Sequence, residues 1–200
     1  MRLRIGKSTL QFTFSFAAVV TLMLLLCDEE IVLVSLFSSL FHECGHLFFM
    51  IIFSDIPRLM IFGAFGIRIE RAKGSKLSYK KEALIALGGI AGNLLLILCA
   101  LIFYHLTLSI FSLELLAVNA FIAGFNLIPI RQLDAGRCME ALLRLHRSSA
   151  DTEKILDIFS IVFCASLSVI CVLYNVFFSL NISMIAVTVY LVLISNIKEF

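Results

Sequence analysis

Long apolar runs alternate with short polar segments along the whole chain. Residues 8–27, 83–113 and 158–197 contain no Asp, Glu, Lys or Arg, and residues 31–54 contain only Glu43. About 20 apolar residues are enough for a helix to cross the hydrocarbon core of a bilayer. The pattern therefore predicts about six membrane-spanning helices. They are expected at residues 8–27, at 31–53, within 83–113, at 114–130 and on either side of a turn near residues 174–181.

The distribution of basic residues agrees with this number of spans, because cytoplasmic loops carry an excess of Lys and Arg. With the N-terminus in the cytoplasm, the segments on that side are the two termini and residues 54–82 and 131–154. The N-terminus, the two loops and the C-terminus hold three, seven, five and one basic residues, which are all 16 in the chain. Both termini are therefore expected in the cytoplasm. A cleaved signal peptide is the alternative for residues 8–27, but no small-residue cleavage pattern follows them, which favours an uncleaved span.

The composition agrees with a protein that resides in the bilayer. The chain of 200 residues is 61% hydrophobic and 15% charged, whereas about a quarter of the residues of a soluble domain are charged. We expect an all-α polytopic membrane protein with a single membrane-embedded domain over residues 1–200. Its core would be residues 31–140, with accessory spans at 8–27 and 155–197. The lipid bilayer is its environment, no nucleic acid is expected as a partner, and the oligomeric state is left open.

One polar stretch has the period of a strand rather than of a helix. Within residues 54–82, the run Ile67-Arg68-Ile69-Glu70 alternates apolar and polar side chains. Gly63 and Gly66 would allow that strand to turn back on residues 59–62. The sequence therefore predicts a short β-hairpin at the membrane surface after the second helix.

The second predicted helix carries a carboxylate between two histidines, in the run Phe41-His42-Glu43-Cys44-Gly45-His46. His42 and His46 are four positions apart, so they share a face of the helix. With this spacing two imidazoles bind one Zn²⁺, and Glu43 is placed to accept a proton from the attacking water. The alternative is a pair of buried histidines bonded to neighbouring helices. That alternative gives no reason for a carboxylate in an apolar helix.

A catalytic zinc ion usually has a third protein ligand, for which Asp134 is the best candidate. In the six-span arrangement the second and fourth helices both run toward the cytoplasm. The segment after the fourth helix therefore lies at the depth of the histidines. Pro129 would break the helix there and free backbone groups near the metal. Glu70 in the basic loop and Cys138, four residues after Asp134, are the alternatives.

Three motifs, in this order, resemble those of the site-2 protease family of intramembrane zinc metalloproteases. They are His42-Glu43-Cys44-Gly45-His46, then Gly89-Ile90-Ala91-Gly92-Asn93 where the family has GPxxN, then the run from Asn126 through Pro129 to Asp134. The chain departs from the family at Ile90, which replaces a proline, and at Ala135, where a glycine is usual. The short six-span form is most similar to the bacterial branch that includes the stage IV sporulation protease.

The resemblance implies a zinc metalloendopeptidase that cuts a transmembrane or membrane-associated protein within or near its membrane segment, on the cytoplasmic side. His42, His46 and Asp134 would bind Zn²⁺, and Glu43 would be the catalytic base. Asn93, Asn126 and Pro129 would hold the substrate strand or the oxyanion, although a buried Asn also bonds routinely between helices. The resemblance places the protein in a bacterial cell membrane or a forespore-associated membrane.

Two other functions are compatible with the sequence. A membrane metal transporter also places His and acidic residues in its spans. Such a transporter is expected to show an inverted repeat and several sites along a path, whereas this chain has one cluster at one depth. A catalytically inactive homologue that serves as a binding scaffold is the other possibility.

The substrate of such a protease would have to be extended where it is cut. An intact helix shields its peptide bonds, because each carbonyl is already hydrogen-bonded within the segment. An extended segment can instead add as a strand to an open sheet edge. We therefore expect the edge of the hairpin at residues 59–71 to receive the substrate.

Overall fold

The computed structural model describes residues 2–5, 8–63, 66–70, 77–177 and 181–196, which form seven helices and four strands. The helices are α1 (Phe14–Leu26), α2 (Glu29–Ile52), α3 (Tyr79–Thr107), α4 (Ile110–Asn126), α5 (Asp134–Leu143), α6 (Ser149–Phe177) and α7 (Ile182–Asn196). The strands are β1 (Arg2–Ile5), β2 (Ser8–Phe12), β3 (Leu59–Gly63) and β4 (Gly66–Glu70). The chain divides into two compact units, Met1–Phe125 and Asn126–Phe200.

The helices have the lengths and composition of a helical membrane protein. Within the described residues, α2, α3 and α6 are long enough and apolar enough to cross a membrane. Shorter apolar helices are formed by α1, by α4 and by Met184–Leu193 of α7. The predicted turn near residues 174–181 falls between α6 and α7, although residues 178–180 lie outside the described part. Five of the basic residues sorted above also lie outside it: Lys7, Arg71, Lys73, Lys76 and Lys198.

The prediction of one continuous helix over residues 8–27 is wrong, because the segment changes conformation at Thr13. Residues before it form strand β2, and α1 after it is only 13 residues long. The Thr13 hydroxyl accepts a hydrogen bond from the Phe16 N–H at 3.3 Å and lies 2.7 Å from the Phe62 carbonyl, to which it donates. Thr13 thus caps the helix and fastens it to β3. The alternation of Leu10 with Thr9 and Gln11, a strand pattern, is hidden in an otherwise apolar run.

The predicted hairpin is present as β3 and β4, but it is half of a larger sheet. The strand order is β1-β2-β3-β4, with antiparallel pairing at both ends and parallel pairing of β2 with β3. The expectation of an all-α protein with an isolated hairpin is therefore corrected to a helical protein with a four-stranded sheet. Gly66 has a φ of +120°, which an L side chain rarely adopts, so a glycine is required where β4 begins.

The two faces of the sheet differ in polarity. Leu3, Leu10, Met60 and Ile69 are register partners and share one face, whereas Arg4, Thr9, Leu59 and Glu70 share the other. On the apolar face Phe12 stacks on Phe62 with ring centroids 4.4 Å apart, and Phe16 of α1 meets Phe62 edge-on at 5.7 Å. The aromatic contacts join α1 to the sheet in the unit that also contains α2 and α3.

Helices α2 and α3 approach each other through glycine. A Cβ on Gly45 would overlap the carbonyl of Gly88, and a Cβ on Gly88 would lie 2.5 Å from the carbonyl oxygen of Gly45. A Cβ on Gly92 would lie 3.2 Å from the Phe41 carbonyl oxygen. Small residues permit this backbone contact between membrane helices. The contact brings the face of α2 with the histidines directly against α3.

The second unit has its own core. Ile130, Leu156 and Leu191 are almost completely buried, and the Cys164 thiol lies 3.8 Å from the Leu191 carbonyl oxygen, which joins α6 to α7. Helix α5 packs on the start of α6. This unit contains Asp134 at the first position of α5.

Candidate metal centre

The two predicted histidines lie on the buried stripe of α2. The buried residues Ser38, His42, His46 and Met50 follow one another at intervals of four, which keeps them on one face of the helix. His42 is 6% exposed and His46 is 9% exposed. Glu43 is half-buried and adjoins this stripe. The local pattern of the helix therefore places both imidazoles on one buried face, with Glu43 beside it.

The orientation of the His46 ring follows from a backbone carbonyl of α3. Its Nδ1 lies 2.8 Å from the Ile85 oxygen. A carbonyl only accepts, so Nδ1 carries the proton and Nε2 carries a lone pair. Within α3 that carbonyl faces the N–H of Gly89. With glycine at 88 and 89, no side chain of those residues covers the carbonyl, and its second lone pair is open to His46.

The Nε2 atoms of the two histidines converge. They lie 3.2 Å apart, with the ring planes at 86° to each other. Two nitrogen ligands of a tetrahedral zinc ion, each about 2.0–2.1 Å from the metal, lie about 3.3 Å from each other. The spacing of the nitrogens is thus that of two ligands of one metal ion.

A glycine backbone lies next to these nitrogens. A Cβ added to Gly89 would lie 2.5 Å from Nε2 of His42 and also 2.5 Å from Nε2 of His46. Even the methyl group of an alanine would therefore enter the space in front of both ligand atoms. The residue type at 89, the nitrogen spacing and the imidazole donors together fit a metal ion.

In the second unit, Asp134 begins α5 and is 6% exposed. The loop before it folds onto the helix, since a Cβ on Gly136 would overlap the carbonyl of Ile130. The absence of a side chain at Gly136 allows this close contact.

Cys138, the alternative ligand, lies one turn after Asp134 and is buried. Burial raises the pKa of its thiol above the ordinary value, and the negative charge of Asp134 raises this pKa further. Metal ions are bound by the thiolate rather than by the thiol. Cys138 is therefore a poorer ligand than Asp134.

Four charged side chains hold the loop before Asp134 against α5 and α6. The guanidinium of Arg144 lies 2.6 Å from Glu140 and 3.9 Å from Glu153, and that of Arg131 lies 3.5 Å from Glu140 and 3.7 Å from Glu153. Because each carboxylate is shared by both arginines, the group forms a network rather than isolated pairs. It fixes the loop that ends at Asp134.

The other residues that the sequence suggested for the site lie on separate elements. Asn93 is fully buried on α3, Asn126 is the last residue of α4, and Pro129 lies in the loop before α5. Glu70, the other alternative ligand, is exposed at the end of β4.

The sequence reasoning did not select Ser38 and Asn119, which are both completely buried beside the site. The available signal for Asn119 was its position as an amide in the middle of an otherwise apolar run, residues 115–125. A buried polar residue in such a helix marks a functional site by default.

Gly89→Ala should abolish metal binding, because its methyl group would lie in the space in front of both Nε2 atoms. Alanine favours a helix by about 1 kcal/mol over glycine, so helix propensity does not explain a loss. Gly124→Ala on α4 is the matched control, since a Cβ there meets nothing within 4 Å. Metal content of the purified proteins, measured with their thermal unfolding, tests this. Unchanged metal affinity in Gly89→Ala would show that the metal does not bind between these histidines.

Comparison with known proteins gives a match in structure alone. No family model matches the chain, and no curated protein matches it in sequence. Among solved structures, the chain is similar to the Site-2 Protease from Methanocaldococcus jannaschii, with a TM-score of 0.71 and 19% sequence identity. The match covers 100% of this chain and 97% of that chain. The chain therefore has the fold of a solved site-2 protease over its whole length.

Proposed function

We propose that this protein is an intramembrane zinc metalloprotease that hydrolyses a peptide bond of a membrane-associated protein. The observation that carries the proposal is the pair of imidazole nitrogens 3.2 Å apart, with Gly89 in front of them and Glu43 on the same helix. The similarity to a solved site-2 protease in fold supports it.

The ligands in this proposal are His42, His46 and Asp134. Two neutral imidazoles and one carboxylate are a common set for a catalytic zinc ion, which keeps a fourth position open. All three residues are buried, as ligands of a metal within a membrane protein should be. Asp134 begins α5 directly after an irregular segment, and the ion pairs of Arg131 with Glu140 and Glu153 hold that segment against α5 and α6.

Bound zinc would supply Lewis-acid chemistry, acidifying water and polarising the scissile carbonyl. Glu43 accepts the proton of the attacking water at its carboxylate and passes it to the leaving amine. The Ile85 carbonyl holds the His46 ring with its Nε2 near Nε2 of His42, where the two nitrogens would bind the ion together. By the family resemblance, Asn126 and the backbone freed by Pro129 would hold the substrate strand or the developing oxyanion.

The proposal also includes the branch of the family, the membrane and the side on which the substrate is cut. The motifs and the short chain favour the bacterial branch that includes the stage IV sporulation protease. The sorting of basic residues favours a multi-pass protein with both termini in the cytoplasm, and the resemblance to that branch implies a bacterial or forespore-associated membrane. Cleavage would take place within or near the membrane segment of the substrate, on the cytoplasmic side.

Glu43→Gln should retain zinc and lose cleavage by a factor of about 10²–10⁴, because it removes a general base and leaves the ligands in place. Cleavage is measured by co-expression with single-span membrane proteins, and zinc by metal analysis of the purified variant. Cys44→Ala, at the exposed neighbouring position, is the matched control and should cleave normally. A Gln variant that cleaves as fast as the wild type would refute the role of Glu43. A metal transporter or an inactive scaffold would show no cleavage by the wild type either.

Asp134→Ala should weaken zinc binding by more than the factor of about 10–100 that loss of an outer hydrogen-bond partner costs. Activity should fall with zinc occupancy, because the ion would keep only two protein ligands. Cys138→Ala, one turn further along α5, is the matched control and should bind zinc as the wild type does. If instead Cys138→Ala loses zinc and Asp134→Ala keeps it, the ligand assignment must be exchanged.

We further propose that the substrate adds as an extended strand to β4, the strand of the hairpin whose outer edge is open among the described strands. N–H groups of successive strand residues point to opposite edges. Proline at Ile67 and proline at Arg68 therefore remove donors from different edges of β4. The proline variant that loses an N–H group pointing to the open outer edge of β4 should cleave the substrate more slowly, with unchanged zinc content. If neither proline slows cleavage, and a substrate helix stiffened by Leu for Gly or Asn is cut as fast, strand addition is wrong.

A further inference from the structure

A chain of buried hydrogen bonds leads away from His42 across three helices of the first unit. His42 Nδ1 lies 2.5 Å from Asn93 Oδ1 on α3. Asn93 Nδ2 donates to Asn119 Oδ1 on α4 at 2.8 Å. Asn119 Nδ2 in turn donates to the Ser38 hydroxyl of α2 at 2.9 Å and to the Leu115 carbonyl at 2.8 Å. Ser38, Asn93 and Asn119 are completely buried.

The Leu115 carbonyl, at the end of this series of hydrogen bonds, determines the direction of every bond in the series. The Leu115 carbonyl can only accept, so the atom of Asn119 that faces it must be the amide nitrogen. The Asn119 oxygen then faces Asn93 and requires a donor, which only the amide nitrogen of Asn93 provides. This orientation leaves the Asn93 oxygen facing His42. A reversed amide at either position would bring two acceptors or two donors together in a buried site.

The tautomer of His42 follows from the same direction. Because an amide oxygen only accepts, Nδ1 of His42 must donate, and Nε2 is left with a lone pair. This lone pair faces the lone pair of His46 Nε2, which the Ile85 carbonyl fixes in the same way. Two lone pairs 3.2 Å apart repel each other and attract a cation.

The other tautomer would close the site. With the proton on Nε2, His42 would donate to His46 Nε2 across the same 3.2 Å. The two ligand atoms would then satisfy each other, and a metal ion would have to displace this proton. The buried amides therefore decide whether the pair is open to metal or closed by an internal hydrogen bond.

We propose that Asn119, anchored on the Leu115 carbonyl and Ser38, is a positioning residue that acts through Asn93 to keep His42 in the Nδ1–H tautomer, ready for metal. This inference rests on the proposed metal site, but it concerns the protein before metal binds. It assigns Asn93 to the support of His42, a contact that occupies its amide oxygen and differs from the oxyanion role implied by the family resemblance.

The direct test is ¹⁵N NMR of the histidine side chains in the full-length, metal-free protein in detergent micelles. At mildly alkaline pH, where an ordinary imidazole is neutral, the wild type should show His42 with its proton on Nδ1. A His42→Gln spectrum assigns the signal. A wild-type His42 with its proton on Nε2 overturns the proposal without any positioning variant having to fold.

Asn119→Leu, which is close in size and has no polar atom, should release the amide of Asn93 and populate the Nε2–H tautomer of His42. Its zinc affinity should fall by about 10–100-fold, the usual effect of losing an outer hydrogen-bond partner of a ligand. The double variant Asn93→Asp/Asn119→Leu is the rescue, because a carboxylate only accepts and needs no relay to face His42 Nδ1. It should restore both the tautomer and most of the zinc affinity.

These results separate the two proposals. If the wild type neither binds zinc nor cleaves, but its His42 tautomer depends on Asn119 as described, the proposed function is wrong and the relay stands. If the wild type binds zinc and cleaves while Asn119→Leu leaves the tautomer and the affinity unchanged, the relay is wrong and the proposed function stands. An affinity loss that the double variant fails to rescue, with the tautomer unchanged, would mark Asn119 as merely structural and refute the relay.

Discussion

The close approach of α2 to α3 is the contact on which the arrangement of the site depends. Gly45 and Gly88 let the two backbones meet, and Gly89 then lies against the histidine nitrogens. Apolar side chains at these positions would hold the helices farther apart, and His46 would no longer reach the Ile85 carbonyl. In a bilayer, where lipid competes equally for apolar surface, such close packing is a main source of helix association. The contact that stabilises the helix pair is therefore the same contact that shapes the candidate centre.

Each histidine is hydrogen-bonded, directly or through amides, to a carbonyl of the main chain. His46 is held directly by the Ile85 carbonyl, and His42 is linked to the Leu115 carbonyl through two amides. A carbonyl group in a helix has a fixed direction and no change of protonation, so it is a stable reference for the hydrogen-bond pattern. A neutral arrangement of this kind also avoids the cost of burying a further charge.

Local patterns predicted much of the site and of the helices. The interval between His42 and His46 is a property of one helix, so the sequence alone places both on one face. The hairpin was visible in the alternation at Ile67 to Glu70. The role of β2 was not, because its partner β3 lies 50 positions along the chain and the five residues of β2 join directly onto an apolar helix. Asn119 was overlooked for a related reason: its partners are on other helices, and no spacing within α4 reveals them.

The parallel pairing of β2 with β3 also sets an order of assembly. The bonds that join these segments, from Ser8 to the Pro57 carbonyl and from Thr13 to the Phe62 carbonyl, each connect residues 49 positions apart. Everything between them is α1, α2 and the turn that follows, so β2 can pair only with β1 until both helices have been synthesised. Contacts between such distant residues form late, since the intervening chain must first be ordered. During synthesis, then, the helix with the histidines is made before the sheet can be completed. Once β2 and β3 have paired, the sheet holds both ends of the segment that contains α1 and α2.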